Sequence, residues 1–408
     1  MRIIFHDPNN PVEASERQRL MGQVNAWWRA FSEKQAAIKA LFRQQAEWDL
    51  GQWMLETLQS ISPDLMWEYG PAVECDGHRL VITPETHKHL QPLVGLILRH
   101  APSLPAWEFY THRLPESLDA AQMTVQGRTG GNLDDVKVVA RMSHDGRINL
   151  TFHSPNCTSV GDQQSTNDAF VATETLLGED ILDQWVGLIE AVPMMQPKRF
   201  LGLFKSGGGN LPNMIPLDRL KPTVDSLILS SIDQLPPEPL HAAGDAMKWT
   251  LFKLKPKEAK DYPGQRDMFV GRTCVPKMWQ DAHTGRSVYS RRYSRCGETF
   301  CYVKLDGSQG LASEKFADKS EIEDALDAAL MPSGLGRVIG GGTGLRYSYV
   351  DLSLADLGQA IAVVRNVLSQ GAVPKRSWIL FYDSVLAKEW VGIYDDSPEP
   401  PMEPGEDE

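Results

Sequence analysis

The chain has 408 residues, 42% of them apolar and 23% charged, the proportions of an ordinary globular protein and not of a disordered or fibrous one. That length exceeds what one hydrophobic core usually serves, so two modules are expected. No apolar run approaches the ~18 residues a membrane-spanning helix needs. The opening MRIIFHDPNN is too briefly apolar for a secretory signal, so a cytoplasmic protein without membrane contact is expected.

The net charge of −12 is mostly local. Asp395, Asp396, Glu399, Glu403, Glu406, Asp407 and Glu408 follow one another with no base among them, and without these seven the chain sits at about −5. Pro398, Pro400, Pro401 and Pro404 lie in the same stretch, so residues 396–408 read as a disordered, solvating acidic tail. The five cysteines (Cys75, Cys157, Cys274, Cys296, Cys301) form no Cys-x-x-Cys pair and read as thiols in a reducing compartment.

In chain order, apolar residues at Leu20, Val24, Trp27, Trp28, Phe31, Ile38 and Leu41 keep the 3.6-residue period and predict a helix over 18–42. A second helix is expected over 47–61, ending at Ser62-Pro63. Strands follow at 65–69 and 79–83, a helix opening at Pro84-Glu85 and ended by Pro102, and a strand at 107–113. Strands 136–142 and 147–153 flank His144-Asp145-Gly146, a hairpin turn with glycine where positive φ is needed. A helix over 167–177 has Ser165, Thr166 and Asn167 as available caps, and 185–192 reads as a strand ending at Pro193. Residues 205–214, rich in glycine, read as a linker. Beyond it, strands are expected at 248–254, 268–275, 300–305, 345–352, 378–382 and 390–394. Helices are expected at 320–330, with Ser320 and Glu323 as a capping box, and at 355–370, stopped by Gly371.

Strands and helices interleave without strict βα alternation, so the expected class is α+β. Two modules are expected, each with a mostly antiparallel or mixed sheet and helices on one side: residues 1–204 and, after the linker, 215–395. Trp185-Val-Gly and Trp390-Val-Gly form an echo at the end of each module.

Three stretches invite a chemical reading. With period two, Glu68 on one strand and Glu108, Tyr110 and His112 on another face away from the aromatics. Beside Arg79 or Arg113 they are weak candidates for a paired-carboxylate site, against the plainer reading of cross-strand ion pairs. Between Arg272 and Arg295 the chain is strongly basic. Arg286, Tyr289, Arg291, Arg292, Tyr293 and Arg295 are weak candidates for nucleic-acid contact, against that of a solvated hairpin. The run Gly340-Gly-Gly-Thr-Gly344 follows a helix and precedes a strand, the reverse of a phosphate loop, and reads as a flexible turn or a close backbone approach. His87 and His89 lack metal-chelating spacing, so neither a cofactor nor a metal is expected.

The patterns LMWEYGP at 65–71, RLVITPE at 79–85 and WEFY at 107–110 resemble a group of bacterial proteins. These share a Met-Trp-Glu-aromatic-Gly-Pro strand, an Arg-Leu-Val-Ile strand with Pro-Glu, and a Trp-Glu-Phe-Tyr strand. The likeness spans roughly residues 48–115 and extends to about 342–395. It implies a bacterial cytoplasmic setting and brings no established activity. At the level of fold alone, the C-terminal half is similar to small α+β regulators of the ribonuclease-regulator B type. With catalytic motifs missing and 11 tryptophans present, the leading expectation is a non-enzymatic interaction or regulatory (immunity-like) protein with a protein partner. The alternatives are a hydrolase using Glu68 and Glu108, and nucleic-acid contact through 286–295.

Overall fold

The computed structural model describes residues 2–194, 213–244 and 247–402. The protein is α+β, and its strands form three sheets with separate cores.

The first unit opens with α1 (Pro11–Phe42). Asn10 caps it by accepting from the backbone N–H groups of Val12 and Glu13, and Pro11 fills the first turn. The helix thus begins before the apolar stripe that revealed it. After α2 (Leu50–Thr57) come β1 (Met66–Pro71), β2 (His78–Thr83), α3 (Gln91–Arg99) and β3 (Trp107–Tyr110). The sheet order is β1-β2-β3, antiparallel then parallel, with α3 as the crossover. Trp28 and Phe31 of α1 meet Trp107 and Phe109 edge-on at 4.8–5.8 Å, and Trp27 packs edge-on against Trp28 at 4.4 Å.

The second unit contains α4 (Leu118–Thr129), β4 (Lys137–Met142), β5 (Ile148–Ser154), α5 (Gln163–Leu177), α6 (Glu179–Trp185), β6 (Val186–Pro193), β7 (Ile215–Pro216) and α7 (Leu220–Asp233). Its sheet runs β6-β5-β4-β7. Gly146 takes φ +70° in the β4–β5 turn, as the hairpin requires. Asp162, and not one of the three expected residues, caps α5 by accepting from Ser165 N. Trp185 closes a helix and only Val186 begins the strand, so the two Trp-Val-Gly segments differ in structure.

Residues 215–233, expected with the C-terminal module, belong to this second sheet. Pro216 pairs with Lys137, and Leu217, Leu220 and Val224 enter the core of Val138, Leu150 and Phe152. The expected linker at 205–214 lies outside the described residues except for Asn213 and Met214.

The third unit comprises β8 (Thr250–Lys253), β9 (Met268–Thr273), α8 (Pro276–His283), β10 (Thr299–Asp306), α9 (Lys319–Leu330), β11 (Gly336–Gly344), β12 (Tyr347–Leu354), α10 (Leu357–Gln370), β13 (Ser377–Phe381) and β14 (Trp390–Gly392). The sheet order is β14-β13-β10-β12-β11-β9-β8, antiparallel throughout. One face packs Val303, Leu305, Val350 and Leu352 against Leu326 of α9 and Val364 of α10. Asp318 caps α9 in place of Ser320, and Glu323 instead holds Arg272 and Lys319. At the end of α10 the left-handed residue is Ala372 (φ +53°), one past Gly371.

The Gly340–344 run is no turn. It lies inside β11, between β12 and β9, where a Cβ on Gly341 would stand 2.4 Å from the Tyr349 carbonyl oxygen. Close backbone approach is thus the reason for these glycines.

The tail also departs from expectation. Residues 396–402 dock on the sheet: the Trp378 indole N–H donates to the Pro398 carbonyl at 2.5 Å, and Pro400 is buried. An aromatic donor facing a proline-rich backbone supplies the partner that composition alone did not reveal. Residues 403–408 lie outside the described residues. At the other end, Glu389 accepts from the backbone N–H groups of Ile3, Ile4 and Phe5, and Arg2 lies 3.7 Å from the centre of the Trp390 ring.

Candidate functional site

The period-two reading placed Glu68, Glu108, Tyr110 and His112 on one sheet face beside Arg79 or Arg113, and the strand registers agree for Glu68, Glu108, Tyr110 and Arg79. Glu68 stands opposite Val81, which stands opposite Tyr110, while Arg79 stands opposite Glu108. Trp67, Tyr69, Trp107 and Phe109 turn to the core. The two carboxylates nevertheless have separate employment. Glu108 accepts from the backbone N–H groups of Val73, Glu74 and Cys75 at 2.7–2.9 Å and from the Tyr110 hydroxyl at 2.9 Å. These bonds, led by that from Val73, hold its pKa down at about 2. It clamps the β1–β2 loop. A carboxylate so bound is a poor proton carrier near neutrality.

Glu68 joins an ionic cluster between the first two units. Arg113 donates to Glu68 (3.1 Å), Glu85 (2.5 Å) and Glu174 (3.0 Å), while Arg79 reaches Glu116. Burial disfavours the Arg113 cation, but the Glu85 bond and the charges of Glu174 and Glu179 outweigh it and raise its pKa. His112 lies beyond the end of β3, against the Thr111 hydroxyl, and does not continue the row of Glu108 and Tyr110. The strand ends there because Arg113 turns to the second unit, its N–H donating to Glu179.

The basic stretch is largely paired within the protein, although Arg286, Arg291 and Arg295 stay exposed. Arg286 pairs with Asp145 (3.1 Å) and Asp281 (3.3 Å), and Arg291 with Asp180 (2.6 Å). Arg292 is buried, donating to the Gly146 carbonyl at 3.2 Å and lying 5.7 Å from the Trp185 ring centre. Tyr289 and Tyr293 are buried too, and the Tyr293 hydroxyl donates to Asp281. Arg295 donates to the Pro236 carbonyl. Arg286, Arg291 and Arg292 thereby join the second and third units.

The feature that the sequence reading missed is a cleft of about 1530 Å³ over the second face of the seven-stranded sheet. Its floor is Tyr302 of β10 with Tyr382 just past the end of β13, and residues 254–266 form one wall. Pro401 and Met402 form part of the opposite rim. The Tyr302 and Tyr382 rings lie 5.1 Å apart. Beneath them Asp351, fully buried, accepts at Oδ1 from the Tyr382 hydroxyl (2.9 Å) and from Gln265 Nε2 (3.2 Å), while Oδ2 has no hydrogen-bond partner. Burial pushes its pKa up to about 7 against those two bonds.

Nearby, Lys304 is fully buried, donates to the Tyr262 carbonyl, and sits 4.1 Å from the Tyr347 ring centre. Burial lowers its pKa to about 8. Tyr382 is raised, by burial first and Asp351 second. Its hydroxyl is therefore a neutral hydrogen-bonding group and not a phenolate nucleophile. The cleft lining carries Lys255, Lys257, Arg266 and Arg286 but one acid, Asp261. That acid is engaged by Arg376 at 2.7 Å.

The signal for this face was present in the alternation Phe300, Tyr302, Lys304, Asp306 along β10 and Tyr347, Tyr349, Asp351 along β12, with Val303, Leu305 and Val350 among the residues between. Among the described residues no helix is long and apolar enough to cross a membrane. Comparison with protein-family models, with curated proteins and with solved structures found no match.

Proposed function

We propose that the protein is a non-enzymatic interaction protein of the regulatory or immunity-like kind, and that it receives an extended segment of a partner protein in the tyrosine-floored cleft. The observation that carries this reading is the cleft itself. At about 1530 Å³ it exceeds the roughly 300–1,000 Å³ of small-molecule sites. Its aromatic floor and basic rim are the materials of interface anchors. The Tyr382 hydroxyl is a neutral hydrogen-bonding group, suited to recognition. Five unpaired cysteines support a reducing, cytoplasmic setting.

The test is site-specific crosslinking in native cells. A photoreactive label on Lys257→Cys, at the cleft rim, is expected to capture a defined partner through one segment of its chain. The same label on Gln18→Cys of α1 is expected to capture none. Equal capture from both positions, or none from Lys257→Cys, rejects the reading.

A further inference from the structure

Resting on that reading, we propose that the segment the cleft docks is acidic and proline-rich, and that this chain's own residues 396–402 compete with it for one end of the site. The strap shows the chemistry that the aromatic face accepts. Proline has no backbone N–H, so a proline-rich segment offers mainly carbonyl groups to its host. The host group matches: the Trp378 indole N–H donates to the Pro398 carbonyl, Pro400 is buried, and Pro401 with Met402 reaches the cleft.

Charge points the same way. The exposed Lys255 and Lys257 stand on the rim, Arg286 there is already paired with Asp145 and Asp281, and the one lining acid, Asp261, lies among Arg346 (3.8 Å) and Arg376 (2.7 Å). An acidic segment finds unlike charge there, and a basic one is repelled.

The strap is also held lightly. Asp395 pairs with Arg365 and Asp396 with Lys375, and both acids are exposed, so these pairs add little. Its other anchors include the indole hydrogen bond, the buried Pro400, and a turn in which the Ser397 hydroxyl accepts from Tyr394 N at 3.0 Å and the Ser397 N–H donates to the Tyr394 carbonyl at 3.2 Å. A partner segment of the same chemistry that makes additional contacts along the Tyr302–Tyr382 floor displaces it. While the strap is seated, apparent affinity for the partner falls by the fraction of molecules left open.

A fluorescein-labelled peptide with the sequence of residues 395–402, Asp-Asp-Ser-Pro-Glu-Pro-Pro-Met, tests this by fluorescence polarisation against the full chain. Binding is expected to tighten about tenfold in the double variant Pro400→Lys, Pro401→Lys, whose strap the basic rim repels. It is expected to be lost in Lys255→Glu, Lys257→Glu and to weaken as salt is raised. Thermal melts of both variants report their folding. If the strap variant does not fold, Met402→Lys, at the exposed end of the strap, takes its place. A peptide with its three acids changed to lysine serves as control. No binding to any variant, equal binding to parent and strap variant, or equal binding of the lysine peptide overturns the assignment. If a partner still crosslinks at Lys257→Cys while these peptides fail, the interaction reading stands and only its acidic, proline-rich form falls. Loss of both rejects both.

Discussion

Replacing Asp351 with Asn removes from beneath the cleft a carboxyl that the folded protein prefers to keep protonated. Its pKa of about 7 lies about three units above the ~3.9 of an aspartate in an unfolded chain. Between those two pH values the folded state holds a proton that the unfolded state has released. Stability then falls as pH rises, by about 1.4 kcal/mol per unit. The whole span is about 4 kcal/mol, absent below about pH 4 and complete above about pH 7. Asn retains Oδ1 as the acceptor for Tyr382 and Gln265 and cannot ionise. Its amide stands where Oδ2 finds no partner, a cost of about 1–3 kcal/mol that does not depend on pH. The difference between the two proteins must therefore drift, with the variant weaker near pH 4.5 and gaining on the parent toward pH 8. Urea denaturation followed by tryptophan fluorescence across that range measures it, and other titrating groups cancel in the difference. A difference that stays constant from pH 4.5 to 8 refutes the reasoning, since Asp351 would then titrate alike in both states.

Three further outcomes are expected. Glu108→Gln should speed amide hydrogen exchange at Val73, Glu74 and Cys75, whose N–H groups the carboxylate accepts; unchanged protection there would mean that the loop is held otherwise. Because this carboxyl is held at about 2, its stabilising charge is fully present above the unfolded value of ~4.3 and lost only as pH falls toward 2. Arg113→Ala strips Glu68, Glu85 and Glu174 of their shared cation and should cost about 3 kcal/mol in chemical denaturation. A loss below about 1 kcal/mol would place the cluster with ordinary surface pairs. Gly341→Ala combines φ +155° with a Cβ 2.4 Å from a carbonyl oxygen and should cost at least about 3 kcal/mol. Gly297→Ala, at φ +78° with nothing within 4 Å, should cost about 1 kcal/mol. Equal melting temperatures for the two would remove steric approach as the reason for the glycine run.

Much of the third unit's framework could be read from alternation, because β10, β12 and β13 are buried on both faces and rich in β-branched and aromatic residues. Period two put Glu68 and Glu108 on the polar faces of their own strands, and β2, lying between β1 and β3, joins these into one face. What alternation does not carry is which partner satisfies each polar group. Glu108 is bound to a loop more than thirty residues away in sequence, and Arg291 to Asp180 across 111 residues. Helix α4 escaped notice because only Ala121 and Val125 of its side chains are buried, too thin a stripe to show a period. The cleft was illegible for a related reason. Its lining is gathered from Thr86, the 254–268 region, the end of α8, β10, the end of β13 and Met402, so no contiguous stretch bears its signature. The tail misled because proline and acid together lower the expectation of packing, whereas a single indole N–H suffices to seat a proline-rich backbone.

The clasp between residues 2–5 and Glu389–Trp390 has a consequence for biosynthesis. Ile3 is separated from its acceptor by 386 positions, so the N-terminal segment is made long before the strand end it binds exists. During translation the backbone N–H groups of Ile3, Ile4 and Phe5 must remain solvated while α1 and the first sheet assemble behind them. Contacts that close so large a loop form late. The segment beside the β14 edge is therefore made well before the residues that fix it, and a bulky substitution at Arg2 would disturb that distant edge of the sheet more than its own neighbourhood.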